Sequence, residues 1–235
     1  MKKEVLMLSG GLDSAAAWWA LGKPPWLFVT KANRKEVESK ELRAVLSMMA
    51  YCQEFAERGR IVDCDFSPFR SQNHSVFPRE FLLACIAVAE GFNTIYFIWH
   101  TNDSDPERRE QVVKDITRLL RENYLDQSLT VLMPFKDFSR EELVRKALEA
   151  GCPKEFLLVT WSCQSGGDLH CGYCDNCVER WIALRNNGID ATYQFMNNPE
   201  DGLLQRGIRD LRTHPEFLTE YRKVKNIPEG EIILI

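Results

Sequence analysis

The chain has 235 residues, 45% of them apolar and 27% charged, with a formal net charge of −4. That length supports one substantial core with a small satellite. No stretch approaches the ~18 apolar residues that a membrane span needs. The acidic balance argues against the broad basic footprint of a protein that grips DNA or RNA, so no stable nucleic-acid partner is expected. Arg108-Arg109 and the arginines from Arg206 to Arg212 read as solvated helix faces. Met1-Lys2-Lys3-Glu4 leads into an apolar run too short for a signal peptide, and the expected location is the cytoplasm.

Val5–Leu8 predicts a buried strand and Ala15–Leu21 a helix, with Ser9-Gly10-Gly11-Leu12-Asp13-Ser14 between them. The first N–H groups of a helix have no intrahelical partner and carry partial positive charge. Two glycines let a phosphate approach the backbone with no Cβ in the way. Ser9 and Ser14 offer hydroxyl donors, and Asp13 can orient the loop or help hold Mg²⁺. The spacing is not that of a Walker loop, which needs GxxxxGK[ST]. The plain alternative is a glycine turn capped by Ser and Asp. A strand before and a helix after favour a phosphate cradle.

Further along, Trp26–Val29 predicts a second strand behind Pro24-Pro25. Ser39–Arg58 reads as one helix, with Leu42, Val45, Leu46, Met49 and Phe55 on a face. Ile61–Phe66 is a third strand. Pro78 opens a helix over Arg79–Glu90 that Gly91 stops. Thr94–Trp99 is a fourth strand, and Pro106 starts a helix reaching Asn123. Leu129–Met133 is a fifth strand. Ser139-x-x-Glu142 is a capping box for a helix ending at Ala150 before Gly151.

Strands alternating with helices predict an α/β fold, a doubly wound five-stranded parallel sheet covered on both faces. Ligands bind such sheets beyond the carboxyl ends of the strands. Ser9, the loop after Phe66 and Asn102-Asp103-Ser104 all follow strand ends and are expected to converge on one crevice. Three units are expected: a nucleotide-binding domain over residues 1–150, a small metal-binding subdomain over 151–188, and a C-terminal extension over 189–235. Asn197-Asn198-Pro199-Glu200-Asp201-Gly202 interrupts the extension, with helices expected at Leu203–Leu211 and Phe217–Val224. It is either a packing element or a docking element for a partner protein.

Of eight cysteines, Cys52, Cys64, Cys85 and Cys152 read as small buried hydrophobes. Cys163, Cys171, Cys174 and Cys177 form a cluster, the last three as C-x-x-C-x-x-C. Zinc takes four soft ligands in a tetrahedron, and C-x-x-C turns aim two thiolates at one point. Cys163 can return across the loop Gln164–His170 as the fourth. A disulfide is disfavoured in a cytosolic chain, a redox C-x-x-C belongs at a helix start in another setting, and an iron–sulfur cluster remains a chemical rival. Zinc is preferred, in a structural role, because four protein ligands leave no open position for water. His170 reads as a neighbour, not a ligand.

Ser9–Ser14 resembles the signature of the PP-loop ATP pyrophosphatases, of HUP-type fold. Joined with Thr160-Trp161-Ser162-Cys163 and Cys171-Gly172-x-Cys174-x-x-Cys177-x-x-Arg180, it resembles the 7-cyano-7-deazaguanine synthase (QueC) family across residues 4–185. The resemblance implies that Ser9, Gly10, Gly11, Leu12, Asp13 and Ser14 hold the pyrophosphate end of ATP, with Mg²⁺. It implies one Zn²⁺ on Cys163, Cys171, Cys174 and Cys177. The implied chemistry activates the carboxylate of 7-carboxy-7-deazaguanine, forms an amide with ammonia, and dehydrates the amide to a nitrile after a second activation. A homodimer is implied as well. The residues expected to act in catalysis are Ser9, Asp13, Ser14 and Arg79. Arg79 would meet a phosphate or the carboxylate, Asp103 the guanine-like edge, and Arg108 the substrate side; Lys31 is a weaker phosphate candidate. Surface exposure for Arg79 and a helix N-cap for Asp103 are the plain alternatives.

Two segments depart from the family pattern. Phe77-Pro78-Arg79-Glu80 stands where P-G-R-N is usual, and Asp103-Ser104-Asp105-Pro106-Glu107-Arg108-Arg109 is shorter than D-x-S-G-Y-P-D-C-R and lacks its aromatic. Drift explains this, as does an altered acceptor. Some QueC-like proteins serve anti-phage defence, where the same activation attaches a deazaguanine to a protein amine. A PP-loop tRNA-thiolating or tRNA-lysidine ligase is opposed by the acidic charge and the missing second cysteine pair. A non-catalytic nucleotide-binding scaffold is opposed by the intact loop.

Overall fold

A computed structural model describes residues 3–31, 35–64, 79–101, 106–165, 167–204 and 215–226. Five strands form one all-parallel sheet: β1 (Glu4–Leu8), β2 (Trp26–Lys31), β3 (Gly59–Cys64), β4 (Thr94–Tyr96) and β5 (Thr130–Leu132), in the order β3-β2-β1-β4-β5. Leu6 pairs with Trp26 on one side of β1 and with Tyr96 on the other. The chain therefore winds outward in both directions from β1, and the switch point lies at the carboxyl ends of β1 and β4.

Successive side chains of a strand face opposite ways, and β1 divides the core accordingly. Val5 and Met7 join Leu27, Val29 and Ile95 in a layer shared with α4 (Arg79–Ala89) and α5 (Pro106–Tyr124). Leu6 and Leu8 join Trp26 and Phe28 in the other layer, with α1 (Leu12–Ala20) and α6 (Arg140–Glu149). Ala15, Ala16 and Ala17 are fully buried, which lets α1 lie close to its neighbours. Trp18, Trp26, Phe55 and Phe156 cluster beside them, in stacked and edge-on pairs, with Trp26 and Phe55 centroids 4.5 Å apart. Each such ring pair contributes about 0.5–1.5 kcal/mol beyond its burial.

The single helix expected over Ser39–Arg58 is two helices, α2 (Lys35–Tyr51) and α3 (Gln53–Glu57). Cys52 is extended between them, at φ −131° and ψ 107°. The break delivers Phe55 into the aromatic cluster, and the Trp26 indole donates to the Phe55 carbonyl at 2.8 Å. Strand β4 stops at Tyr96, short of the expected Trp99, although the Phe97 N–H still donates to Leu132 on β5. The capping box at α6 is complete: Glu142 N–H donates to Ser139 Oγ, and Ser139 N–H donates to Glu142 Oε2.

Beyond α6 come α7 (Lys154–Leu158) and α8 (Asp175–Asn186), which periodicity did not announce. A 3-10 turn at Thr192–Gln194 leads to α9 (Pro199–Leu204) and α10 (Pro215–Lys225). The helix expected over Leu203–Leu211 runs mostly outside the described residues. Buried Glu220 of α10 accepts from Arg185 at 2.6 Å and from Asn186 at 3.1 Å, pinning α10 to α8. Among the described residues no helix is long and apolar enough to cross a membrane.

Candidate functional site

The loop from Ser9 to Ser14 bends tightly off β1. Gly10 has φ +78°, and a Cβ there would lie 2.6 Å from the Glu41 carbonyl of α2. Gly11 caps α1 in an extended conformation. The Ser14 hydroxyl accepts from the Ser9 N–H at 3.1 Å, lies 3.0 Å from the Ser9 hydroxyl and donates to the Gly11 carbonyl at 3.2 Å. The two hydroxyls thus pair with each other and with the loop backbone, beside the start of α1 at the carboxyl end of β1. Leu12 is buried, so its side chain serves the core.

Arg140 and His100 surround Asp13. Arg140 grips its carboxylate with two bonds, Nε to Oδ1 at 2.7 Å and Nη2 to Oδ2 at 3.0 Å. His100 Nε2 lies 3.4 Å from Oδ2, and Arg140 Nη1 lies 2.5 Å from Glu179 Oε2. Burial works to raise the Asp13 carboxyl, but the charges and hydrogen bonds of Arg140 and His100 outweigh it and hold the group well below the ordinary carboxylate range. Sequence reading missed Arg140, His100 and Glu179. One signal was present: Arg140 occupies the first turn of a helix, where the macrodipole disfavours a cation.

The four clustered cysteines converge. Their sulfurs all lie within 4.8 Å of one another, and Cys171 Sγ is 3.8 Å from Cys177 Sγ. A tetrahedron with metal–sulfur bonds of about 2.3 Å has edges of about 3.8 Å, so the spacing fits a metal and is far too long for a disulfide. Backbone N–H groups of Ser165 and Cys171 donate to Cys163 Sγ, and those of Tyr173 and Cys174 to Cys171 Sγ. Such donors favour thiolates. Hydrogen bonds with Cys174 and Cys177 pull the Cys163 thiol far below its usual value. The donor set can hold zinc. His170 stays outside the cluster, stacked on Trp161 at 4.4 Å, and burial pushes its pKa down to about 3. Of the other cysteines only Cys152 is buried; Cys52, Cys64 and Cys85 are half-buried, so the expectation of four core thiols is corrected to one.

Arg180 fills the space behind the knot. It is fully buried and donates to Thr160 Oγ1 at 2.5 Å, to the carbonyls of Leu157 and Leu158, and to Gln194 Oε1. Burial lowers its pKa to about 10, while the Cys177 sulfur pulls the other way. It remains a cation at neutral pH.

Loop and knot touch. The Trp161 N–H donates to the Gly10 carbonyl at 3.0 Å, two residues before Cys163 of the cluster. Arg79 is the first residue of α4, and its side chain is outside the described residues, as is all of Asp103. Arg108 is an exposed residue in the first turn of α5. Lys31 ends β2, with its side chain also outside the described residues.

A glycine-serine loop at the switch point of a doubly wound parallel sheet, joined through Trp161 to a four-cysteine cluster, defines a PP-loop-type α/β protein. The family described as "Queuosine biosynthesis protein QueC" matches residues 59–188, more than half of the chain. The chain belongs to that family. It is 28% identical over 212 residues to the 7-cyano-7-deazaguanine synthase of Archaeoglobus fulgidus, covering 80% of this chain and 87% of the relative. It is 26% identical over 228 residues to the enzyme of the same name from Methanoculleus marisnigri, covering 83% and 99%. A shorter stretch of 59 residues is 46% identical to the Methanosarcina mazei synthase, covering 25% and 24%.

Proposed function

We propose that this chain is an ATP-dependent carbon–nitrogen ligase acting on 7-carboxy-7-deazaguanine. The observation that carries the reading is the Ser9–Ser14 loop, folded at the switch point with its two hydroxyls paired beside the start of α1. In this reading the loop holds the β- and γ-phosphates of ATP, whose Mg²⁺ arrives with the nucleotide. Both Asp13 oxygens already face Arg140, which favours loop orientation over metal ligation as the role of Asp13. A carboxylate oxygen attacks the α-phosphorus and pyrophosphate leaves. Ammonia then displaces AMP from the acyl adenylate, giving an amide. A second ATP adenylates the amide oxygen with release of pyrophosphate, and departure of that oxygen with AMP, together with loss of the two N–H protons, gives the nitrile, in keeping with the relatives' name. Catalysis rests on positioning and on stabilising charge. Ser9 and Ser14 are assigned to the phosphates, Arg79 to a phosphate or the carboxylate, and Asp103 and Arg108 to the substrate side.

The zinc in this reading is structural. It supplies no chemistry and fixes a loop that has no core of its own. The units 1–150, 151–188 and 189–235 remain our proposed division, with a cytoplasmic homodimer as the working assembly. The test is pyrophosphate release from ATP with 7-carboxy-7-deazaguanine and ammonia, followed by mass spectrometry of the product. Release dependent on the carboxylate and reduced in Ser14→Ala supports the reading. Turnover equal in wild type and Ser14→Ala overturns the loop assignment. A product attached to a protein amine, with ammonia inactive, would replace the synthase reading with the conjugating one.

A further inference from the structure

Four side chains remote in sequence meet beneath the loop. Asp13 comes from α1, His100 from the segment after β4, Arg140 from α6 and Glu179 from α8. The Arg140 and Glu179 side chains are each only 9% exposed. The guanidinium presents Nε and Nη2 to Asp13 and Nη1 to Glu179, so one rigid planar fork spans two carboxylates. Glu179 lies two residues beyond the ligand Cys177 on the same helix. That helix is bonded to α6 a second time, through Asn186 and Asn187 to Glu141.

We propose that Arg140 is a positioning residue that couples the cysteine knot to the nucleotide loop, so that metal geometry and ATP binding influence each other. The inference rests on the loop being the ATP site. Its physical basis is the cost of alternatives. A buried arginine between two carboxylates cannot swing away without stranding charge. A shift of Asp13 on phosphate binding must therefore move Arg140 or strain it, and Glu179 passes that displacement along α8 to Cys177. Binding linkage is reciprocal, so whatever ATP does to the knot, the knot does to ATP affinity.

The experiment uses holoprotein with Co²⁺ in the knot, whose visible absorption reports the thiolate geometry. ATP affinity is measured separately by equilibrium dialysis. In wild type, ATP is expected to shift the cobalt band with a midpoint equal to the dialysis Kd. Glu179→Gln keeps the shape of the side chain and leaves the Asp13–Arg140 pair in place. It should still bind ATP within a few-fold of wild type, yet lose most of the band shift at saturation, with only the part carried by the Trp161–Gly10 bond left. Arg140→Lys keeps the charge but cannot bridge both carboxylates; it should bind ATP about tenfold more weakly and also lose the shift. A purely electrostatic role would be rescued by lysine. A wild-type band unmoved at saturating ATP overturns the coupling, as does a full shift in Glu179→Gln. If Arg140→Lys does not fold, Glu179→Gln decides alone. Wild-type holoprotein that binds no ATP in dialysis overturns the functional reading itself, and that result is distinct from binding without a shift.

Discussion

Trp161 closes on Gly10: its N–H donates to the glycine carbonyl at 3.0 Å, joining two segments 151 positions apart. The bond comes from the stretch that leads into Cys163, the first cysteine of the cluster. It holds the loop at its most crowded point, where Gly10 has φ +78° and lies against the Glu41 carbonyl.

Gly10→Ala is expected to be destabilising and to abolish nucleotide binding. Alanine would face both a left-handed backbone angle, about 1–3 kcal/mol of strain, and a 2.6 Å approach to backbone that has no flexible end to move. Urea unfolding and ATP dialysis check the two halves separately.

Ser14→Ala removes an acceptor for the Ser9 N–H and a donor to the Gly11 carbonyl. The stability cost is expected to be modest, about 1 kcal/mol. Pyrophosphate release should fall about 10²-fold if the hydroxyl stabilises charge on the phosphates. A thermal melt near wild type beside a collapsed rate would separate function from folding.

Much of this was legible in the sequence. The strands announced themselves as apolar runs bounded by Gly and Pro, and the knot by cysteine spacing, because both signals are local. The α2–α3 break at Cys52 was hidden, since the helical face reads continuously to Phe55, and the packing of Phe55 among Trp18, Trp26 and Phe156 is not local in sequence. The Asp13–Arg140–Glu179 chain was hidden more deeply. Its members lie 127 and 39 positions apart, and no local pattern links them. Cys52, Cys64 and Cys85 sit in apolar surroundings, yet such surroundings do not by themselves ensure full burial.

Elemental analysis of purified protein should find about one zinc per chain, given four converging thiolates. Cys174→Ser removes one corner of the tetrahedron. It should lower the metal content well below one per chain and cost solubility, because metal affinity in such sites is folding energy. Well-folded wild-type protein without metal would contradict this.

Acid should act through Asp13. Its carboxyl is held well below the ordinary value of 3.8, so the unfolded chain takes up protons first as pH falls. The stability this pair contributes is full above pH about 4 and is lost progressively below it, as the pH approaches the depressed folded value. Urea midpoints measured from pH 6 to pH 3 should fall more steeply in wild type than in Asp13→Asn, which has no such proton to take up. Equal slopes would show that Asp13 does not carry the linkage.

Gly172, between the first two cysteines of the C-x-x-C-x-x-C run, would place a Cβ 2.1 Å from the Asn197 carbonyl oxygen, and Gly202 would place one 2.3 Å from the carbonyl oxygen of Gly172. Two bare backbones thus nest in one another, with the Asn197–Gly202 stretch fitted over the cysteine run like a key on its ward. Neither partner can acquire a side chain without the other retreating. Inheritance should therefore treat the pair as a single character, with substitutions on one side tolerated only where the facing stretch has been remodelled.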